Sequence, residues 1–182
     1  MKKSATTLFF LFVSTALGFA ATPQQLGAWS VYTADGNLAS NRPVLLQTAS
    51  EEQYRDEKGN PVQAKLDVIC NHGKVSAIAL EPNFVIKASA ISLSGAVPTT
   101  RVVSLTEGQA SRENWEVLSR GRTLSPYSEA FQGKAVRRWA ERISANREMA
   151  FQLNGGKGES VAQPTFQTGQ LTEALASVGC SY

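Results

Sequence analysis

The sequence has few of the residues on which most enzyme and metal chemistry depends. It contains one histidine, His72, and two cysteines, Cys70 and Cys180, among its 182 residues. With these numbers the usual His and Cys ligands cannot form a structural zinc site, and a Ser-His-Asp triad would have to use His72. His72 precedes Gly73 in a predicted tight turn, where we expect an exposed turn residue.

Sequence motifs for nucleotide binding or nucleophilic catalysis are also missing. There is no Gly-x-x-x-x-Gly-Lys loop, no dinucleotide fingerprint and no Gly-x-Ser-x-Gly elbow. A pair of catalytic carboxylates needs no sequence motif, so a hydrolase that uses such a pair is a third, less favoured function. The clustered acidic residues are most simply a solvated loop face; they are Glu51, Glu52, Asp56 and Glu57. We therefore expect no enzyme activity, no catalytic residue, no cofactor and no metal.

Long apolar runs are absent after the N-terminus. Lys2 and Lys3 precede a short apolar run from Leu8, and small residues stand at Gly18 and Ala20. This order predicts a signal peptide over residues 1–20 and a mature domain over 21–182. An uncleaved N-terminal anchor is the alternative, although the run is shorter than the roughly 20 residues that a bilayer needs. We expect a periplasmic or secreted protein without stable membrane insertion after cleavage.

The charge of the mature chain is close to balanced. The full sequence has 18 basic and 15 acidic residues, and removing Lys2 and Lys3 leaves 16 basic residues and a net charge near +1. A domain so close to neutral gives no reason to expect nucleic acid as a partner.

The two cysteines both lie in the mature region. In an oxidising compartment an even number of cysteines predicts a disulfide between Cys70 and Cys180, with two buried free thiols as the alternative. The bridge would hold a C-terminal tail that would otherwise fray.

The hydrophobic pattern predicts a single α+β domain. Lys65–Cys70 and Lys74–Leu80 alternate around a turn and form the clearest hairpin, and Glu51–Pro61 is expected to be a solvated hairpin loop. Residues Ser128–Ala145 change to helical periodicity, and Gly169–Val178 is predicted to be a short C-terminal helix. Strands elsewhere favour an antiparallel, sandwich-like sheet with one amphipathic helix, one short helix and one disulfide.

Two features are candidates for binding. The first is a basic stretch that includes tryptophans, the residue types enriched at binding hot spots; its members are Arg112, Trp115, Arg120, Arg122, Arg137, Arg138, Trp139, Arg142 and Arg147. A solvated helix face with Trp139 in the core is the alternative. The second is the low-charge segment Ala88–Thr99, which is either an exposed binding loop or an edge strand closed by Pro98.

The order of landmarks along the chain resembles a known family. An early Trp29 is followed by a strand ending in Cys70, and Arg101 begins a strand that leads to an acidic-Gly turn at Gly108. The remaining landmarks are Trp115-Glu-Val-Leu-Ser119, the basic helix Ala135–Arg142, the strand Glu148–Leu153 and the ending Phe166–Leu175 with its final Cys180. In this order and spacing the chain is similar to the VasI family of type VI secretion-associated proteins.

The resemblance implies an exported, disulfide-closed, non-enzymatic accessory protein that binds a protein of the secretion apparatus or cell envelope. Cys70 and Cys180 match the family's cysteines, and Arg101 and Trp115 match its Arg and Trp positions. The candidate protein-binding residues are Arg101, Trp115, Arg137, Arg138 and Arg142. The alternative function is a periplasmic inhibitor or immunity-type protein that blocks an enzyme through Ala88–Thr99.

Overall fold

The structure is a computed structural model that describes residues 23–33, 43–92, 95–107, 109–128 and 132–182. The predicted signal peptide and its cleavage point lie outside these residues. The strands are β1 (Gln24–Leu26), β2 (Trp29–Thr33), β3 (Val44–Arg55), β4 (Pro61–Asn71), β5 (Lys74–Glu81), β6 (Ala90–Ile91), β7 (Pro98–Thr106), β8 (Gln109–Leu118), β9 (Thr123–Pro126), β10 (Glu148–Asn154), β11 (Ser160–Ala162) and β12 (Thr165–Gln167). The helices are α1 (Gln132–Ser144) and α2 (Leu171–Ser177).

Eight of these strands close into a barrel. They follow the order β3-β12-β10-β7-β8-β9-β5-β4, and β4 pairs again with β3. All pairings in this ring are antiparallel, as the sequence predicts. The sandwich-like arrangement is corrected to a closed barrel, because Ser50 of β3 also pairs with Phe166 of β12. Closure leaves the eight ring strands without a free edge.

The hairpins follow local turn chemistry. The predicted β4–β5 hairpin is confirmed, with Asn71 opposite Lys74 and positive φ angles of 51° at His72 and 73° at Gly73. Two positive φ angles match the twist of the flanking strands. The predicted loop Glu51–Pro61 is a shorter turn, because β3 continues to Arg55 and β4 begins at Pro61.

The amphipathic helix is confirmed as α1, and its apolar face closes the core. The buried residues of this face are Ala135, Val136, Trp139, Ala140 and Ile143. The Trp139 ring meets the edge of Trp115 on β8 at 5.0 Å between ring centroids and lies 5.8 Å from Phe151 on β10. Edge contacts of this kind add about 0.5–1.5 kcal/mol to the burial of the rings. The aromatic contacts therefore fix the helix against the barrel interior.

The C-terminal tail is held at two places. The predicted disulfide between Cys70 and Cys180 is present, with a Cα–Cα distance of 6.1 Å. Beyond it, Ser181 donates its N–H to the carbonyl of Gly73 at 3.0 Å and accepts from the N–H of Val75 at 2.8 Å. The tail thus docks at the tip of the β4–β5 hairpin, immediately after the predicted short helix α2.

Candidate functional site

A shallow, open groove of about 560 Å³ lies where β6, β7, β8, the segment after β9 and α1 meet. Its lining is largely polar, with hydroxyl and amide groups between two arginines and one glutamate. The lining residues are Ile91, Ser92, Thr99, Ser111, Arg112, Glu113, Asn114, Tyr127, Ser128 and Arg138. We refer to this surface as the groove.

Glu113 joins the groove to helix α1. Its carboxylate accepts a short hydrogen bond from the Arg138 guanidinium and a 3.0 Å bond from the indole Nε1 of Trp139. The second carboxylate oxygen lies 3.8 Å from Nη1 of Arg142. Only 22% of the Glu113 side chain is exposed, so solvent screens these charges less than at an open surface. One carboxylate on β8 therefore fastens a full turn of α1.

Arg142 is the most enclosed cation of this network. Its guanidinium carbon lies 5.1 Å from the ring centroid of Trp139, within cation–π distance. Burial lowers the pKa of Arg142, while the nearby Glu113 carboxylate acts in the opposite direction. The arginine remains charged because its ordinary pKa is far above neutrality.

The structure brings together some of the predicted binding residues and separates others. Arg138 and Arg142 meet at Glu113, whereas Arg137 forms an ion pair with Glu141 at 2.8 Å on an exposed part of the helix. Arg101 is exposed on β7, in register with Asn114 on β8. Neither Arg137 nor Arg101 lines the groove.

Trp115 lies in the core, whereas a residue that contacts a partner must be exposed. Its side chain is fully buried against Trp139 and Phe151. We correct its expected role from partner contact to packing beneath the groove. A partner could respond to Trp115 only through the residues that it supports.

Sequence reasoning missed Glu113 and Tyr127 as parts of the site. A signal for Glu113 was available, because strand alternation places it on the same face as Trp115, two residues later. No comparable pattern marks Tyr127, whose N–H donates to the Asn114 carbonyl at 3.3 Å.

The segment Ala88–Thr99 combines both of its predicted possibilities over its described residues. Ala90 and Ile91 pair with Thr99 and Pro98, as an edge strand would. The side chains on this strand nevertheless face solvent, and 68% of Ile91 is exposed at the groove. Residues 93 and 94 lie outside the described part of the chain.

A buried carboxylate lies outside the groove. Burial, and after it the charge of the neighbouring Glu81, raise the pKa of Asp67 to about 7. A 2.8 Å hydrogen bond from Gln47 and the charge of Lys65 act in the opposite direction. Because Asp67 is only 5% exposed, a substrate in solution has no direct access to it.

The acidic residues between 51 and 57 have hydrogen-bond or ion-pair partners within the fold. Glu52 accepts the N–H of Thr165 at 2.7 Å, and Glu57 pairs with Arg122 at 3.1 Å. Asp56 accepts the backbone N–H groups of Lys58 and Asn60 at the tip of the β3–β4 hairpin. Asp56 and Glu57 lie at the exposed turn, as expected for a solvated loop face, whereas Glu51 and Glu52 lie on strand β3.

Within the described ranges, no three His, Cys, Asp or Glu side chains are grouped closely enough to hold a metal ion. In the same part of the chain, no helix has the length and apolar character to cross a membrane. Comparison with protein-family models, curated proteins and solved structures gives no match to this chain.

Proposed function

We propose that this chain is an exported accessory protein of the cell envelope, associated with type VI secretion, that binds a protein partner through the groove and performs no catalysis. The observation that carries the binding role is that one groove is lined by an exposed apolar residue, Ile91, and by two arginines, Arg112 and Arg138. Arginine is enriched at protein–protein interfaces, and an exposed apolar side chain is removed from water when a partner binds. The assignment to type VI secretion rests on the resemblance to the VasI family.

The contacts that hold α1 against the barrel favour a preformed binding surface. Glu113 and the edge-to-face contact of Trp139 with Trp115 fix the helix side of the groove, so little ordering is needed when a partner binds. A preorganised surface loses less conformational entropy on association. The export that the sequence predicts is compatible with the Cys70–Cys180 disulfide.

The test is a pull-down of envelope proteins from a periplasmic extract by the mature protein. Arg112→Glu reverses a charge in the groove, and Arg147→Glu makes the same change at an exposed arginine that does not line it. We expect secretion-machinery proteins to bind the wild-type chain and Arg147→Glu but to be lost with Arg112→Glu. Equal capture by both variants would contradict the groove as the binding surface.

A further variant examines the binding surface expected from the sequence alone. Arg137→Glu changes the outer face of α1, where Arg137 pairs with Glu141. If Arg137→Glu alone abolishes capture, the partner binds the outer face of the helix and not the groove.

The alternative function, an inhibitor of a periplasmic enzyme, is favoured by one observation. Ile91 projects from the short β6–β7 pairing with 68% of its surface exposed, as expected for a residue that enters another protein's cleft. Capture of a single soluble enzyme whose activity falls on binding, with no secretion protein, would favour this function.

A further inference from the structure

The connections at one end of the barrel share a basic character. Neighbouring strands of the ring are antiparallel, so β3, β5, β8 and β10 run in one direction and end at the same end of the barrel. The connections that follow these strands are residues 56–60, 82–89, 119–122 and 155–159. They contain five basic and three acidic residues, so this end carries a net positive charge. We refer to it as the basic end.

The connection before β6 lies against the turn after β8. The Ile86 N–H donates to the Gly121 carbonyl at 2.8 Å, and a Cβ added at Gly121 would lie 3.0 Å from a methyl carbon of Val85. Arg120 precedes Gly121 in the chain, and Arg120 and Val85 are both exposed. The two segments therefore contribute a basic residue and an apolar residue to the same part of the basic end.

The same connection also meets the turn after β10. A Cβ added at Gly156 would lie 3.3 Å from the Cβ of Lys87, and one added at Gly155 would lie 3.0 Å from a methyl carbon of Val161. Lys157 follows in the same turn, and Lys87, Lys157 and Val161 are exposed. Residues 82–89 thus join two basic turns into one continuous surface.

The acidic residues of the basic end already have partners. Glu57 pairs with Arg122 at 3.1 Å, and Asp56 accepts N–H groups of its own turn. Glu159 accepts the backbone N–H of Lys157 at 3.0 Å. Within the described ranges, no ion pair involves the remaining basic side chains of the three adjoining connections, which are those of Lys87, Arg120 and Lys157. Their charges are available to an anionic partner.

The residue types favour a lipid surface over a protein partner. Protein–protein interfaces are enriched in aromatic residues and depleted in lysine. Here two of the three available cations are lysines, and the one aromatic residue of the four connections, Phe84, is half-buried against Tyr54. An anionic membrane attracts lysine and arginine by charge alone. Among the described residues three large apolar side chains are exposed, and Val85 and Val161 are two of them, which supplies an apolar contact at the same end.

We infer that the basic end of the barrel contacts an anionic phospholipid membrane. Lys87, Arg120 and Lys157 lie near the lipid phosphates, and Val85 and Val161 leave water at the bilayer surface. The contact is peripheral and goes beyond the proposed function, because it uses none of the residues that line the groove. It would hold the protein at a membrane of the cell envelope.

The experiment is sedimentation of the mature wild-type protein with vesicles at low salt. One set of vesicles contains phosphatidylcholine and phosphatidylglycerol, and the other contains phosphatidylcholine alone. We expect binding to the mixed vesicles only, and weaker binding as the salt concentration rises. A lysine or arginine close to an anionic surface strengthens binding by about fivefold, so Lys87→Gln/Arg120→Gln/Lys157→Gln should lower the partition coefficient by about a hundredfold.

A matched variant separates a local contact from the effect of net charge. Lys74→Gln/Arg137→Gln/Arg147→Gln removes the same charge at exposed positions outside the basic end, and should keep a partition coefficient close to that of the wild-type protein. Val85→Ser/Val161→Ser leaves the charge unchanged and should also weaken binding. Circular dichroism checks that each variant keeps its fold.

Four results would overturn the inference. They are no binding of the wild-type protein to the mixed vesicles, equal binding to both kinds of vesicle, equal loss of binding in the two triple variants, and unchanged binding by the triple variant of the basic end. If that variant instead loses an acidic protein captured from a periplasmic extract, and no vesicles are bound, the basic end contacts a protein and not a membrane.

Discussion

Removal of the Cys70–Cys180 disulfide is the perturbation whose effect on stability is most directly set by the structure. The bridge joins residues separated by 110 positions and fixes the tail after α2 to the end of β4. Both cysteines are buried, at 3% and 8% exposure. Changing both to Ala avoids leaving buried polar groups in the folded protein.

The magnitude follows from the length of the closed loop. Cross-linking a loop of about 100 residues removes chain entropy from the unfolded state worth about 4.7 kcal/mol. Two backbone hydrogen bonds of Ser181, to Gly73 and Val75, remain available without the bridge. These bonds hold the tail in place in the folded protein. Removing the bridge therefore acts mainly by increasing the conformational entropy of the unfolded state. We expect the free energy of unfolding to fall by about 3–5 kcal/mol.

Urea denaturation followed by tryptophan fluorescence measures this change. With a denaturant slope of about 2 kcal/mol per M, the midpoint of Cys70→Ala/Cys180→Ala should lie about 2 M below the wild-type midpoint. A reductant should lower the wild-type midpoint to a similar value and leave the double variant unchanged. A difference in midpoints below about 0.5 M would refute the reasoning.

Three further predictions concern the buried carboxylate, the helix support and one turn. The pKa of Asp67 is about 7 in the folded protein and about 3.9 when unfolded, so its contribution to stability is complete below about pH 4 and is lost as the pH rises through 7. Asp67→Asn should remove this decline in urea midpoint between pH 4 and 8; an unchanged slope would contradict the assignment. Glu113→Ala leaves the buried Trp139 indole N–H without its acceptor, and should lower the unfolding free energy by about 1–3 kcal/mol; no change in thermal melting would count against it. Gly121 has a φ of +90°, and an added Cβ would overlap the Ile86 carbonyl oxygen, so Gly121→Ala should lower the melting temperature by several degrees, and a wild-type melting curve would disprove the close approach.

Local features of the chain could be predicted because their causes are local. The β4–β5 hairpin depends on alternation and on the His72-Gly73 turn, and α1 depends on the spacing of apolar residues around Trp139. The disulfide follows from two cysteines in a chain expected to be exported. The hairpin and the helix can be predicted from neighbouring residues, and the disulfide from the number of cysteines.

Closure of the barrel could not be predicted in this way. It depends on Phe166 pairing with Ser50, which lies far away in the sequence, and alternation indicates only which face of a strand is buried. A sandwich and a barrel have the same alternating pattern. The short strand β12 gives too few residues to reveal its neighbours.

The candidate site was predictable only in its helix residues. Arg138 and Arg142 stood out as basic residues beside Trp139, but their shared partner Glu113 comes from β8 through tertiary structure. The sequence selects Trp115 as a candidate binding residue because its residue type is enriched at binding hot spots and because it matches a Trp position of the VasI family. Its burial is decided by the inward face of β8, where it packs against Phe151.

The most direct measurement of the central claim is photo-crosslinking in cells that express the chain with a photoreactive amino acid at position 91 or position 58. Ile91 borders the groove, whereas Lys58 is also exposed, at the tip of the β3–β4 hairpin, and does not line the groove. We predict a crosslink to one envelope protein from position 91, its loss when Arg112→Glu is added, and no such product from position 58. Crosslinks from position 58 with none from position 91 would contradict the groove as the binding surface.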